Sequence, residues 1–136
     1  MTIYTPQLGI GNTMGYLKAG GEEIEQTDGK VAIESIKLLE EIKDAPFFLA
    51  VGFYRPHIPY VASKAYFDMY DMEKTRLPQL PEKYRASVPS AALSSTQDWP
   101  NFHTTELEAR ECILAYQACV SFVDNQVGRV LEAIDR

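Results

Sequence analysis

Pro46-Phe47-Phe48-Leu49-Ala50-Val51-Gly52-Phe53-Tyr54-Arg55-Pro56-His57-Ile58-Pro59-Tyr60 is the run that decides the fold class. Its first half, 47–53, is a continuous apolar stretch without alternation. A strand covered on both faces by helices reads this way, so 47–53 is expected to be a buried strand. Its second half sets Arg55 and His57 between prolines, directly after that strand. Ligands of open α/β sheets bind outside the carboxyl ends of the strands. The prolines imply a stiff, extended backbone at this point.

On the N-terminal side of the run, 28–43 reads as a helix. Ile33, Ile36, Leu39 and Ile42 recur every three residues, Leu38 widens the stripe, and Glu34, Lys37, Glu40, Glu41 and Lys43 occupy the opposite side. Asp28 is the expected N-cap, and Pro46 ends the helix by residue 45. Helix, short link and buried strand form half of a βαβ repeat, which makes the class α/β. Residues 1–27 carry Gly9, Gly11, Gly15, Gly20 and Gly21 and no sustained period, so they read as loop.

On the C-terminal side, 54–103 is interrupted by six prolines and reads as a long active-site and substrate-side loop, with a short helix expected at Tyr66 to Tyr70. A long helix follows over 105–135. Thr105 and Glu108 have the spacing of a capping box. Tyr116, Val120, Val123, Val127, Leu131 and Ile134 form a narrow stripe expected to lie along a sheet. With one strand and two helices read from it, the chain is expected to need further strands from a longer polypeptide or a partner, since a lone strand leaves both edges open.

Composition sets the outer bounds. The 136 residues are 46% hydrophobic and 24% charged, which is ordinary for a globular protein and argues against global disorder. The formal net charge is −6, with no run of Lys or Arg, so neither nucleic acid nor an anionic membrane is the expected partner. No apolar run approaches the roughly 20 residues of a membrane span, and no cationic start with an apolar core marks a signal peptide. Localisation stays unknown on these grounds. Cys112 and Cys119 lie seven apart, about 10 Å along a helix axis, beyond disulfide reach, and read as buried small side chains.

Chemistry concentrates at Arg55 and His57. The guanidinium is a planar fork suited to oxyanions. The imidazole donates a hydrogen bond or transfers a proton near neutral pH. The bland readings are a surface charge and a local structural hydrogen-bonder. The acidic pairs Glu22-Glu23 and Glu40-Glu41 point about 100° apart on a helix and read as solvated faces, not metal ligands. Asp124, Gln126 and Arg129 read as residues that anchor the long helix.

Two segments carry a resemblance. The run Pro46 to Tyr60 resembles the P-F-F-L segment of type I sulfatases that ends in Lys or Arg followed by P-H-x-P. The run Tyr116 to Leu131 is similar to the later helix of those enzymes, with its pattern Y-x-A-x-V-x-x-x-D-x-Q-V-G-R-x-L. The likeness covers about residues 22–136 and is strongest to the iduronate-2-sulfatase-like branch. It implies part of a three-layer, alkaline-phosphatase-like sandwich with a mostly parallel sheet, and sulfate ester hydrolysis by the full-length enzyme. It implies His57 as the catalytic histidine that contacts sulfate, with Arg55 either facing the substrate's anionic groups or bracing the loop. The implied partner is a sulfated small molecule or sulfated glycan, and members of the family are usually periplasmic, secreted or lysosomal.

The resemblance also implies a calcium ion and a formylglycine nucleophile, and the chain departs from the family at both. It has no C-x-P-x-R or C-x-A-x-R motif and no Asp-Asp pair. The metal ligands are therefore expected outside it, and the chain reads as an internal piece of the catalytic domain that is inactive alone. Two alternatives remain: a stand-alone binding module for sulfated ligands, and another alkaline-phosphatase-superfamily hydrolase.

Overall fold

The computed structural model describes residues 1–4, 14–93 and 104–136. Three strands, β1 (Thr2–Ile3), β2 (Gly15–Ala19) and β3 (Tyr60–Ser63), form a small mixed sheet in the order β1-β2-β3. β1 runs antiparallel to β2, while β2 and β3 are parallel, with Tyr16 opposite Tyr60 and Ala19 opposite Ser63. Parallel neighbours need a long crossover, and helix α1 (Thr27–Ile42) lies within it. Short helices α2 (Lys64–Phe67), α3 (Tyr84–Ser87) and α4 (Ser90–Leu93) precede the long helix α5 (Glu106–Ile134).

The strands are not where the apolar run put them. Residues 47–53 join no sheet among the described residues. Leu49, Val51 and Phe53 are half-buried, whereas Phe48, Ala50 and Gly52 are exposed, Phe48 at 93%. That period of two is the habit of a strand with one covered face. Leu49 and Phe53 pack beside Ala32, Leu39 and Val130, so α1 and α5 supply the cover. Among the described residues, 47–53 makes no backbone hydrogen bond to another segment on either edge, and its other face stays open. The expected double-sided burial is thus only half realised. The actual strands β2 and β3 fall inside stretches read as loop, because Gly15 and Pro59 beside them look like punctuation. The short helix expected at Tyr66 to Tyr70 begins earlier, at Lys64.

α5 begins at its N-cap Thr105, where Thr105 and Glu108 bond each other's backbone amides in a capping box. Its buried face differs from the expected one. Cys112, Ala115, Ala118, Cys119, Phe122, Gln126 and Val130 face inward, and six core side chains gather as Ala62, Phe67, Ala115, Ala118, Cys119 and Phe122. Small residues let α5 approach β3, α1 and α2 closely. The larger stripe stays open, with Tyr116, Val120, Val127, Leu131 and Ile134 all exposed. α1 is rotated in the same way: Ala32, Ser35 and Leu39 are buried, while Ile33, Ile36 and Ile42 are only partly covered.

Candidate functional site

The link between the 47–53 run and β3 is a tight turn rather than an extended segment. The His57 amide donates to the Tyr54 carbonyl at 3.1 Å, and the Arg55–Pro56 and Ile58–Pro59 peptides are both cis. The turn carries Tyr54, Arg55 and His57 on one short arc. The His57 ring is exposed and lies beside Tyr54, with ring centroids 5.0 Å apart.

Its hydrogen bonds select a tautomer. Nδ1 lies 2.7 Å from the Ile58 carbonyl oxygen and 3.4 Å from the Tyr54 hydroxyl. A carbonyl only accepts, so the shorter contact requires the proton on Nδ1. Nε2 is then the nitrogen left for a ligand. In the neutral ring it accepts, and in the imidazolium it donates.

Arg55 is turned onto its own loop. Its Nε donates to the Val61 carbonyl at 2.8 Å, one Nη donates to the His57 carbonyl at 3.3 Å, and the guanidinium carbon sits 5.1 Å from the centre of the Tyr54 ring. Of the two roles considered for it, the bracing one has these bonds behind it.

Asp28 holds this turn from beneath. Asp28 is not the cap of α1, because the helix starts one residue earlier, with Gln26 at its N-cap. Its carboxylate is 1% exposed and accepts from the Tyr54 amide at 2.7 Å and the Arg55 amide at 2.9 Å. Residue spacing does not hint at this, since a carboxylate in a first helical turn ordinarily serves its own helix.

Glu23 is a second residue that the sequence reading missed. It was expected on a solvated face, yet Oε1 accepts from the Tyr66 hydroxyl at 2.8 Å, and Oε2 accepts from the Asn125 and Gln126 side-chain amides at 2.9 Å each. Burial raises the Tyr66 hydroxyl to about 12, with Glu23 beside it adding to the effect. Gln126 is fully buried and receives Arg129 at its amide oxygen, while Asp124 is exposed. The expected anchor on α5 is therefore Gln126, with Arg129 acting through it. Arg110 ties the loop after α2 to α5 by donating to the carbonyls of Thr75 and Met72.

Cys112 and Cys119 are free and buried. Burial pushes both thiols up to about 11, helped at Cys112 by Glu111 and Glu108 and opposed at Cys119 by Arg55. They are inert as nucleophiles near neutral pH. Among the described residues, no group of three or more His, Cys, Asp or Glu comes together to hold a metal ion. The described residues thus do not by themselves fit the calcium centre that the family resemblance implies. No helix among the described residues is long and apolar enough to cross a membrane.

No protein-family model matches the chain. Curated relatives do. A sulfatase of Formosa agariphila is 40% identical over 94 residues, covering 65% of this chain and 18% of the relative. The iduronate 2-sulfatase of Mus musculus is 35% identical over 120 residues, covering 75% of this chain and 21% of the relative. The choline-sulfatase of Rhizobium meliloti is 30% identical over 98 residues, covering 67% and 18%. The chain spans about a fifth of the length of these relatives. They place it in the α/β class, in keeping with its helices and small mixed sheet. Since several separate sulfatases are 30–40% identical to it over 65–75% of its length, the chain belongs to the sulfatase family.

Proposed function

We propose that this chain supplies the sulfate-contacting loop of a sulfuric ester hydrolase of the iduronate-2-sulfatase-like branch, acting on a sulfated small molecule or sulfated glycan. The observation that carries this is His57: an exposed imidazole on a rigid turn, with Nδ1 committed to the Ile58 carbonyl and Nε2 left for the ligand. As the imidazolium, it donates a hydrogen bond to a sulfate oxygen or to the departing ester oxygen while negative charge grows there. One such donor supplies about 3–4 kcal/mol of transition-state stabilisation. Arg55 adds a positive charge over the Tyr54 ring while holding the carbonyls of Val61 and His57. The sequence has no formylglycine motif and the described residues bring together no metal-binding group, so the role of His57 stands without either.

The 47–53 run and the open stripe of α5 support a larger assembly around the loop. With neighbouring strands on its edges and a layer over Phe48, the run would become an interior strand of a mostly parallel, three-layer sandwich. Its alternating exposure already fits that role on the covered face.

The contact is tested by following the His57 ring signals by NMR while sulfate or 4-nitrophenyl sulfate is added at constant ionic strength. The expected result is a saturating shift with both, absent with chloride, and backbone amide signals of Tyr54 and Ile58 that move with sulfate in the wild type but not in H57A. A ring that responds equally to chloride overturns the proposal. The 136-residue chain with calcium and 4-nitrophenyl sulfate is expected to show no turnover.

A second reading has a specific relative behind it. A multifunctional alkaline phosphatase superfamily protein of Trinickia caryophylli, PehA, is 31% identical over 108 residues. A ring that answers to phenyl phosphate and not to 4-nitrophenyl sulfate would favour that wider superfamily chemistry.

A further inference from the structure

We propose that Asp28 is a positioning residue for the Tyr54–Pro59 turn, setting His57 and Arg55 in place through the backbone. The inference rests on the reading of His57 as a sulfate contact.

Four observations converge on it. Asp28 is a buried carboxylate, and among the described residues it makes no ion pair. A buried charge without compensation is costly, so the bonds that meet it define its role. Both oxygens are used, one each, on the consecutive amides of Tyr54 and Arg55. The carboxylate is not spent on its own helix, whose N-cap is Gln26 and which lacks a side-chain cap bond. It still lies in the first turn of α1, where the helix dipole favours negative charge.

Asp28 grips the turn where its bracing bonds begin. Tyr54, whose amide it holds, gives its carbonyl to the His57 amide and its ring to the side of the imidazole. Arg55, the other residue held, reaches from the same peptide to the Val61 and His57 carbonyls. Two consecutive amides bonded to one carboxylate fix the backbone of Tyr54, which lies between them. From that fixed residue the turn carries the ring and the guanidinium in their directions. An amide side chain in the same place would offer one acceptor oxygen and set an N–H against the second backbone donor.

The test uses the full chain with D28N. The Tyr54 and Arg55 amide signals are expected to move upfield. The His57 ring nitrogens are expected to pass from a single Nδ1–H pattern to an averaged one, and sulfate affinity to fall about tenfold, the scale of one lost charge-assisted hydrogen bond. D28E, which keeps both acceptors on a longer arm, should restore part of that affinity. A D28N protein whose Tyr54 and Arg55 amides have moved, while the ring pattern and sulfate response match the wild type, overturns the proposal and leaves Asp28 a merely structural residue. Amides that do not move at all overturn it as well. Should D28N not fold, scalar couplings across the two hydrogen bonds in the wild type decide, and their absence is the negative result. If wild-type His57 ignores sulfate, the sulfate reading falls, while the ring pattern in D28N still decides for or against Asp28.

Discussion

The side-chain amide of Gln126 donates to Glu23 Oε2 at 2.9 Å, joining residues 103 apart in the chain. Gln126 is fully buried on α5, and Glu23 sits in the 3-10 turn just ahead of α1. The same carboxylate takes the Tyr66 hydroxyl from α2, so one acidic side chain ties three elements together. Glu23→Ala removes the acceptor and leaves a buried N–H donor poorly matched. A loss of about 1–3 kcal/mol of stability is expected, read as a lower urea midpoint at unchanged slope.

Gly29 and Gly128 make opposite predictions for one substitution. A Cβ on Gly29 would stand 2.0 Å from the Glu23 carbonyl oxygen, a backbone atom that cannot swing aside. Gly29→Ala is therefore expected to destabilise by about 2–4 kcal/mol despite the better helix propensity of alanine. Gly128 has nothing within 4 Å of that position and lies inside α5. Gly128→Ala is expected to stabilise by about 0.5–1 kcal/mol. Thermal melts of the two variants should move in opposite directions.

Alkaline pH should weaken the fold through its thiols. Burial raises Cys112 and Cys119 from the usual 9.0 to about 11 in the native chain. A group raised in this way gives stability that is complete below its unfolded value. That stability is lost as pH climbs through the folded one. Stability should hold up to about pH 8 and decline between pH 9 and 11, by at most about 3 kcal/mol for each thiol. Tyr60, raised to about 12 by burial, loses its share later. A C112A/C119A protein should show a flatter melting curve against pH between 9 and 10.

The open stripe on α5 gives a fourth prediction. Val120 and Leu131 are 40% and 55% exposed and belong to a row that also holds Tyr116, Val127 and Ile134. V120K/L131K should change the stability of the monomer by no more than about 0.5 kcal/mol while lowering self-association and the binding of a hydrophobic dye. A loss of several kcal/mol would mean that this face is covered in solution.

Local chemistry was readable at several points. The two long helices follow from their apolar periods, the start of α5 from Thr105 and Glu108, and the end of α1 ahead of Pro46. The P-H-x-P segment is legible as a place for chemistry because Arg55 and His57 directly follow an apolar run, but its shape is not: an extended backbone is expected there and a tight turn is found. Harder to read were strands as short as β2 and β3, which are strands because they pair with their neighbours, β2 with both β1 and β3. Periodicity cannot announce a four-residue element whose evidence is its neighbour.

The residue sequence by itself determined the helices, the capping box and the likeness to sulfatases, because each depends on side chains close together along the chain. Tertiary structure alone decided which of the two apolar faces of α5 is buried, that Glu23 is a junction rather than a solvated acid, and that Asp28 serves a turn 26 and 27 residues away. A helix with small residues on one side and larger ones on the other can bury either, and close approach to β3 selected the small side. A carboxylate accepts from whichever donors folding brings to it, and the spacing of residues along the chain does not say which those will be.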